Sequence, residues 1–158
     1  MTAKRGRGDA ESIDLKAALL AKHAQHVVLI HFPIALYLSG TLFDFVARVF
    51  RKPNFREVAR WNFLFAAVMS IPTAATGILA WRWVLEGQHL KGILRLHLLL
   101  GCAVVFALWL TIWLRSRLRA QAETANFRAI LSTELIVCLM VSLTAHLGGF
   151  LSGVNGGP

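Results

Sequence analysis

The sequence predicts an all-α membrane protein, an antiparallel bundle of four transmembrane helices, and three observations carry that prediction. Apolar residues make up 56% of the 158. They gather in four runs, 27–47, 61–81, 96–114 and 129–151, each near the roughly 20 residues an α-helix needs to cross about 30 Å of hydrocarbon. Apart from Asp44 and Glu134, the charges lie between those runs and at the N-terminus, not interleaved with apolar positions as on a soluble amphipathic helix. Lipid offers the backbone no hydrogen-bond partners, so such runs must be helices. Short connections then make consecutive helices antiparallel neighbours.

Taken in order, residues 1–22 are polar and contain no short apolar stretch before a small-residue cleavage site, so the first span is expected to do the targeting. Within them, Ser12 and Asp14 are capping candidates, and Leu15, Ala18 and Leu19 recur at helical spacing. That pattern suits a helix lying on the membrane surface or extending the first span. In the first run, HVVLIHFPIALYLSG, Pro33 has no N–H to donate. The Leu29 carbonyl is left without its helical partner, and a bend is expected there. Later in the same run Asp44 precedes Arg48 by one turn, the spacing of a helical ion pair.

The second run ends in PTAATGILA, residues 72–80, whose side chains are unusually small. Small residues let helices pack closely in lipid; at the level of the histidines they also leave room for a flat macrocycle. The third run holds His97 and, one turn on, Gly101; the fourth holds Glu134, Cys138, His146, Gly148 and Gly149. Glu134 has no helical partner of opposite charge, and is expected to meet a loop arginine or to mark a proton or quinone route. Trp61, Trp81, Trp83, Trp109 and Trp113 fall near run ends, where an amphipathic ring suits the headgroup region. No internal repeat is apparent, and residues 23–158 read as one transmembrane domain.

The net charge of +9 invites a nucleic-acid partner, but the cations flank apolar runs and no nucleic-acid motif accompanies them. The bilayer is the expected partner. Loop 48–60 carries Arg48, Arg51, Lys52, Arg56 and Arg60, and loop 115–128 carries Arg115, Arg117, Arg119 and Arg128, against Arg82, Lys91 and Arg95 between the second and third runs. The first two loops are therefore expected on the cytoplasmic side and both termini on the periplasmic one. Five basic residues in the N-terminal segment weigh against that bias.

The histidines carry the chemistry. His31 lies near the start of the first run, His97 near the start of the third and His146 near the end of the fourth. Alternating helix directions bring all three to one depth, roughly 7–8 Å inside one face. His23 and His26 lie just above, and His89 falls in the loop on that side. Ionisable groups within a span are costly, so a function is expected, and neutral imidazole is the commonest metal ligand. Cys102 and Cys138 form no CxxC pair and read as ordinary thiols. Without CxxCH, covalent c-type attachment is not expected. A b-type haem held by axial histidines is the first expectation, with His31 and His97 as the pair because helices one and three are diagonal. His146 is an alternative ligand and His26 a competitor. Gly101 makes room, and Arg82 and Arg95, with Lys91, offer cations to the propionates. A copper or zinc ion on several histidines is the alternative, and so is no cofactor at all.

The stretch HAQHVVLIHFPIAL resembles the first helix of the bacterial membrane family catalogued as domain of unknown function 2231, whose signature is HPxHPxxxHFP followed by an apolar run. His23, His26, His31, Phe32 and Pro33 match that spacing. Further matches are Asp44, Gly77, His97 and HLGGFL from His146, and the resemblance covers residues 23–155. The chain departs from the pattern at Ala24 and Val27, where the family often has proline, and at Phe150, where a polar residue is usual. The resemblance implies a four-helix domain of the bacterial inner membrane, often encoded near or fused to periplasmic cytochrome c modules. The expectation is thus a b-type cytochrome-like subunit, not an enzyme alone, working with other membrane redox subunits or a periplasmic cytochrome c. A cofactor-free accessory subunit of a respiratory or photosynthetic complex is the alternative.

Overall fold

The computed structural model describes residues 24–83, 89–118 and 127–152. The helix expected within 1–22, and His23, lie outside the described residues. Helices α1 (Ala24–Leu29), α2 (His31–Val49), α3 (Pro53–Trp83), α4 (Gly92–Leu118) and α5 (Phe127–Leu151) follow one another with no strand among the described residues. α1 and α2 form one span, Gln25–Val49; Pro53–Trp83, Gly92–Arg117 and Arg128–Leu151 are the other three segments long and apolar enough to cross a membrane.

Several helices run well beyond their apolar runs. α3 begins at Pro53, so Arg56 and Arg60 ride on its first turns and the connection from α2 shrinks to residues 50–52. That turn closes when the Lys52 N–H donates to the Ala47 carbonyl at 2.9 Å, with Arg51 at φ 54°, the left-handed close of a Schellman-type helix end. α4 likewise carries Arg115 and Arg117 within the helix and not in a loop, because a helix whose backbone is already bonded gains nothing by stopping where hydropathy falls.

Pro33 acts as its chemistry dictates. The helix is interrupted at Ile30, and the Leu29 carbonyl receives the Thr73 hydroxyl from α3 at 3.3 Å; the same hydroxyl lies 2.8 Å from its own Met69 carbonyl. A hydroxyl from a neighbouring helix is one of the few groups able to satisfy a freed carbonyl inside lipid.

Neighbouring helices meet in opposite sequence order. On the first pair, His26 meets Thr73 and Gly77, Tyr37 and Gly40 meet Phe63, and Phe43 stacks on Phe55. On the second pair, His97 meets Thr144 and Gly148, and Arg115 meets Glu134. α3 packs against α4 and α2 against α5, so α2 and α4 stand on a diagonal. Close approach of α2 and α3 depends on Gly40, where a Cβ would come within 3.1 Å of the Phe63 ring. Opposite it α3 buries Ala59, Phe63, Ala66, Ala67 and Ser70, one stripe of mostly small residues at helical spacing. The close-packed stripe therefore lies in 59–70, while much of the 72–80 stretch is part-exposed.

Tyr37, Phe63 and Leu108 fill the centre, with Val137 and Val141 beside them. Tyr37 meets Phe63 edge-on at 5.0 Å between ring centres. The Thr111 hydroxyl spends its hydrogen on the Ala107 carbonyl at 2.8 Å, so Tyr37 Oη is the donor in its 3.1 Å bond to Thr111 Oγ1. That bond crosses the diagonal. Leu139, Phe106 and Ile136 point outward, as lipid-facing residues of such a bundle must.

The two helical hairpins also correct the expectation of no internal repeat. Thr73-Ala74-x-x-Gly77 recurs as Thr144-Ala145-x-x-Gly148, and His26 recurs as His97, each pair 71 residues apart. The buried pairs Tyr37 and Leu108, and Phe63 and Glu134, share that offset. Few identities survive outside the contact positions, so the repeat is seen through its packing.

Candidate functional site

Two layers of polar side chains lie inside the bundle, about 27 Å apart along the first span if measured from His26 to Asp44 at 1.5 Å per residue. The first is the histidine layer. His26 and His97 occupy equivalent places in the two hairpins, and each rests on a glycine of the neighbouring helix. A Cβ on Gly77 would lie 2.9 Å from His26 Cε1, and one on Gly148 3.1 Å from His97 Cε1. Each ring donates from Nδ1 to a backbone carbonyl, His26 to Thr73 at 3.1 Å and His97 to Thr144 at 3.0 Å. The Thr76 hydroxyl also stands 3.3 Å from His26 Nδ1. With Nδ1 carrying the proton, Nε2 of each ring is left as a lone-pair donor, and it has no hydrogen-bond partner among the described residues. Both rings are part-buried and within electrostatic reach of each other across the diagonal.

His31, expected to face His97, does not join this layer. Its ring is exposed and its Nδ1 lies 2.7 Å from the Val27 carbonyl of its own span. Five residues separate His26 from His31, which is about 140° of helix rotation, so the two imidazoles cannot both face the diagonal. His146 is exposed and sits edge-on to Phe150, ring centres 4.9 Å apart. His89, Arg82, Lys91 and Arg95 are all exposed at this end. Gly101 has nothing within 4 Å of the place a Cβ would take. The glycines Gly77 and Gly148 make room, but for imidazole rings of the neighbouring helices. Among the described residues no three of His, Cys, Asp and Glu gather as a bare copper or zinc site requires.

The second layer is one that sequence reasoning only half found. Asp44 pairs with Arg48 one turn on, as its spacing indicates, and its other oxygen accepts from Arg115 Nη2 at 2.6 Å. Arg115 Nη1 donates to Glu134 Oε1, and the guanidinium lies over the Phe63 ring at 4.7 Å. Both carboxylates are wholly buried. Arg115 thus joins the first, third and fourth spans, where the sequence had placed it in a cytoplasmic loop. The signal that would have found it is the demand of two carboxylates inside a span for a buried cation, met by the first basic residue after the third apolar run. Glu134 Oε2 is buried with no hydrogen-bond partner among the described residues. Cys138 donates to Thr41 Oγ1 at 3.3 Å, and both cysteines are free thiols.

The profile of a family described as predicted membrane protein, domain of unknown function 2231, matches residues 22–156. The chain belongs to this family. No curated protein and no solved structure matches it. Family membership accounts for the membrane-spanning helices and extends over both histidine-bearing hairpins; it assigns no chemistry to them.

Proposed function

We propose that this chain is a b-type cytochrome-like subunit of the bacterial inner membrane, in which His26 and His97 would hold the haem iron. The observation that supports it is the matched presentation of two imidazoles from diagonal spans. Each is fixed through Nδ1 on a backbone carbonyl, and its Nε2 has no hydrogen-bond partner among the described residues. Ligating histidines commonly hold their second nitrogen this way, which sets the tautomer and raises ligand basicity. The donor set therefore fits haem iron, whose equatorial positions the porphyrin fills, better than a bare ion that needs three or four protein ligands. When bound, haem would supply one-electron chemistry; the protein's part is to orient two rings and exclude lipid from between them. The Arg-rich connections lie at the opposite end, which favours a periplasmic position for the histidines. Electron exchange with other membrane redox subunits or a periplasmic cytochrome c is the role that follows.

A reduced-minus-oxidised spectrum with pyridine haemochrome analysis tests this on purified protein. We expect a b-type spectrum, lost in His26→Ala and in His97→Ala and kept in His31→Ala. Protein that keeps its fold and yields no extractable haem overturns the reading. A cofactor-free accessory subunit is favoured by one observation, the seating of both rings directly on glycines, which makes them helix–helix packing elements. The same spectrum separates the two.

A further inference from the structure

The outer face of α4 carries a shallow, open groove of about 380 Å³, lined by Phe106, Trp109, Leu110 and Trp113. Their spacing keeps these side chains on one side of the helix, and Arg117, one turn beyond Trp113, continues that side. The Arg117 guanidinium lies over the Trp113 ring at 5.5 Å, and no carboxylate among the described residues pairs with it. From Phe106 to Arg117 the face is about 16 Å long at 1.5 Å per residue. One leaflet, half of the roughly 30 Å hydrocarbon core, has about that depth.

The fold does not demand such a face. At places 71 residues earlier, α2 presents Ala35, Leu38, Ser39, Leu42 and Val46. Along the groove exposure agrees place by place: Ala35 and Phe106 are exposed, as are Leu42 and Trp113, Leu38 and Trp109 are each 40% exposed, and Ser39 and Leu110 are half-buried. Small and aliphatic side chains therefore suffice for a helix so placed. An aromatic belt at the head-group level accounts for Trp113; Trp109 and Phe106 lie one and two turns deeper, among the acyl chains. Arg117 narrows the choice of occupant. Two copies of the chain inserted in the same direction and meeting through this face would set Arg117 against Arg117 about their two-fold axis, and like charges repel. An occupant apolar along its length and anionic at the head-group level meets both requirements.

We propose that this groove holds an anionic phospholipid of the adjacent leaflet, one acyl chain lying along Phe106, Trp109 and Leu110 and the phosphate on Arg117. A guanidinium forks onto phosphate oxygens with paired N–H bonds. Stacking on Trp113 restricts the arginine beforehand, so less freedom is lost when the phosphate arrives. A zwitterionic lipid offers the same chain but brings its own cation to the phosphate. The site does not depend on haem being bound.

Native mass spectrometry of the full chain released from detergent micelles, with dioleoyl phosphatidylglycerol or dioleoyl phosphatidylcholine added at equal concentration, tests this. Phosphatidylglycerol is expected to be held about fivefold more tightly, the discrimination that one arginine near the head groups supplies. Arg117→Gln is expected to remove that preference. Arg51→Gln, which takes away one exposed charge at the same end but off the groove, is expected to leave it unchanged. Trp109→Leu combined with Trp113→Leu gives α4 the residues of α2 without altering charge, and is expected to weaken the adducts of both lipids. Equal retention of the two lipids by the parent, equal losses in Arg117→Gln and Arg51→Gln, or full retention in the double leucine variant overturns the proposal. So does a dimer of the chain that the double leucine variant dissociates, which would make a second copy the occupant.

Discussion

At places 71 residues apart, the first hairpin puts Gly40 and Phe63 where the second puts Thr111 and Glu134, and Asp44 where the second puts Arg115. Gly40 lets α2 close on the Phe63 ring; Thr111 and Glu134 take the Tyr37 hydroxyl and the Arg115 guanidinium. The first hairpin is thus joined chiefly by apolar contact, and the second offers polar groups to it across the diagonal. Near the other end the halves stay alike, with one histidine on one glycine in each. Places near an axis relating two similar halves meet their own counterparts, so Asp44 finds Arg115 and His26 lies within electrostatic reach of His97. A repeat can change its residues freely at such places only if both partners change in complement.

The largest expected effect comes from breaking the charged layer. Arg115→Met leaves Glu134 without a cation while Asp44 keeps Arg48, and stability is expected to fall by about 3–5 kcal/mol. Thermal unfolding in detergent measures it, and adding Glu134→Gln should return part of the loss. If Arg115→Met unfolds no sooner than the parent, the layer does not hold the hairpins together.

Smaller effects are expected in the histidine layer, where the halves should respond alike. Gly77→Ala and Gly148→Ala each press a methyl onto an imidazole, at a cost of about 1–3 kcal/mol. Gly77→Ala is expected to be the worse, since its methyl would start 2.9 Å from the ring against 3.1 Å. Unfolding temperatures of the two variants side by side check the ranking. The smallest effect separates the halves again. Thr73→Val withdraws the hydroxyl that reaches the Leu29 carbonyl, a loss of about 1 kcal/mol. Thr144→Val should cost less, because the third span has Val104 where the first has Pro33 and keeps its own N–H there. Restoring that N–H with Pro33→Ala should bring Thr73→Val close to Thr144→Val in a double-mutant cycle; failure to do so would remove the carbonyl from the account.

Much of this was legible beforehand. The spans followed from hydropathy, the freed Leu29 carbonyl from Pro33, and the Asp44–Arg48 pair from its spacing. The Thr73 hydroxyl that answers the carbonyl was not, since residues 44 apart in the chain become neighbours only when two helices dock. The repeat was hidden because its identities are confined to contact positions. Arg115 was hidden because hydropathy ends at Leu114 while the helix continues to Leu118. Depth in the span singles out His31 over His26, and depth says nothing of direction.

The sequence by itself determined which residues lie within hydrocarbon and therefore that they are helical, because the cost of an unsatisfied backbone in lipid is local and counted residue by residue. The tertiary structure alone decided how each helix is turned about its axis. That rotation brings His26 within electrostatic reach of His97, seats Arg115 between two carboxylates and puts Glu134 in the wall of a cavity. It is set by how small side chains such as Gly40, Gly77 and Gly148 accept their neighbours, a property of pairs of helices and not of either one.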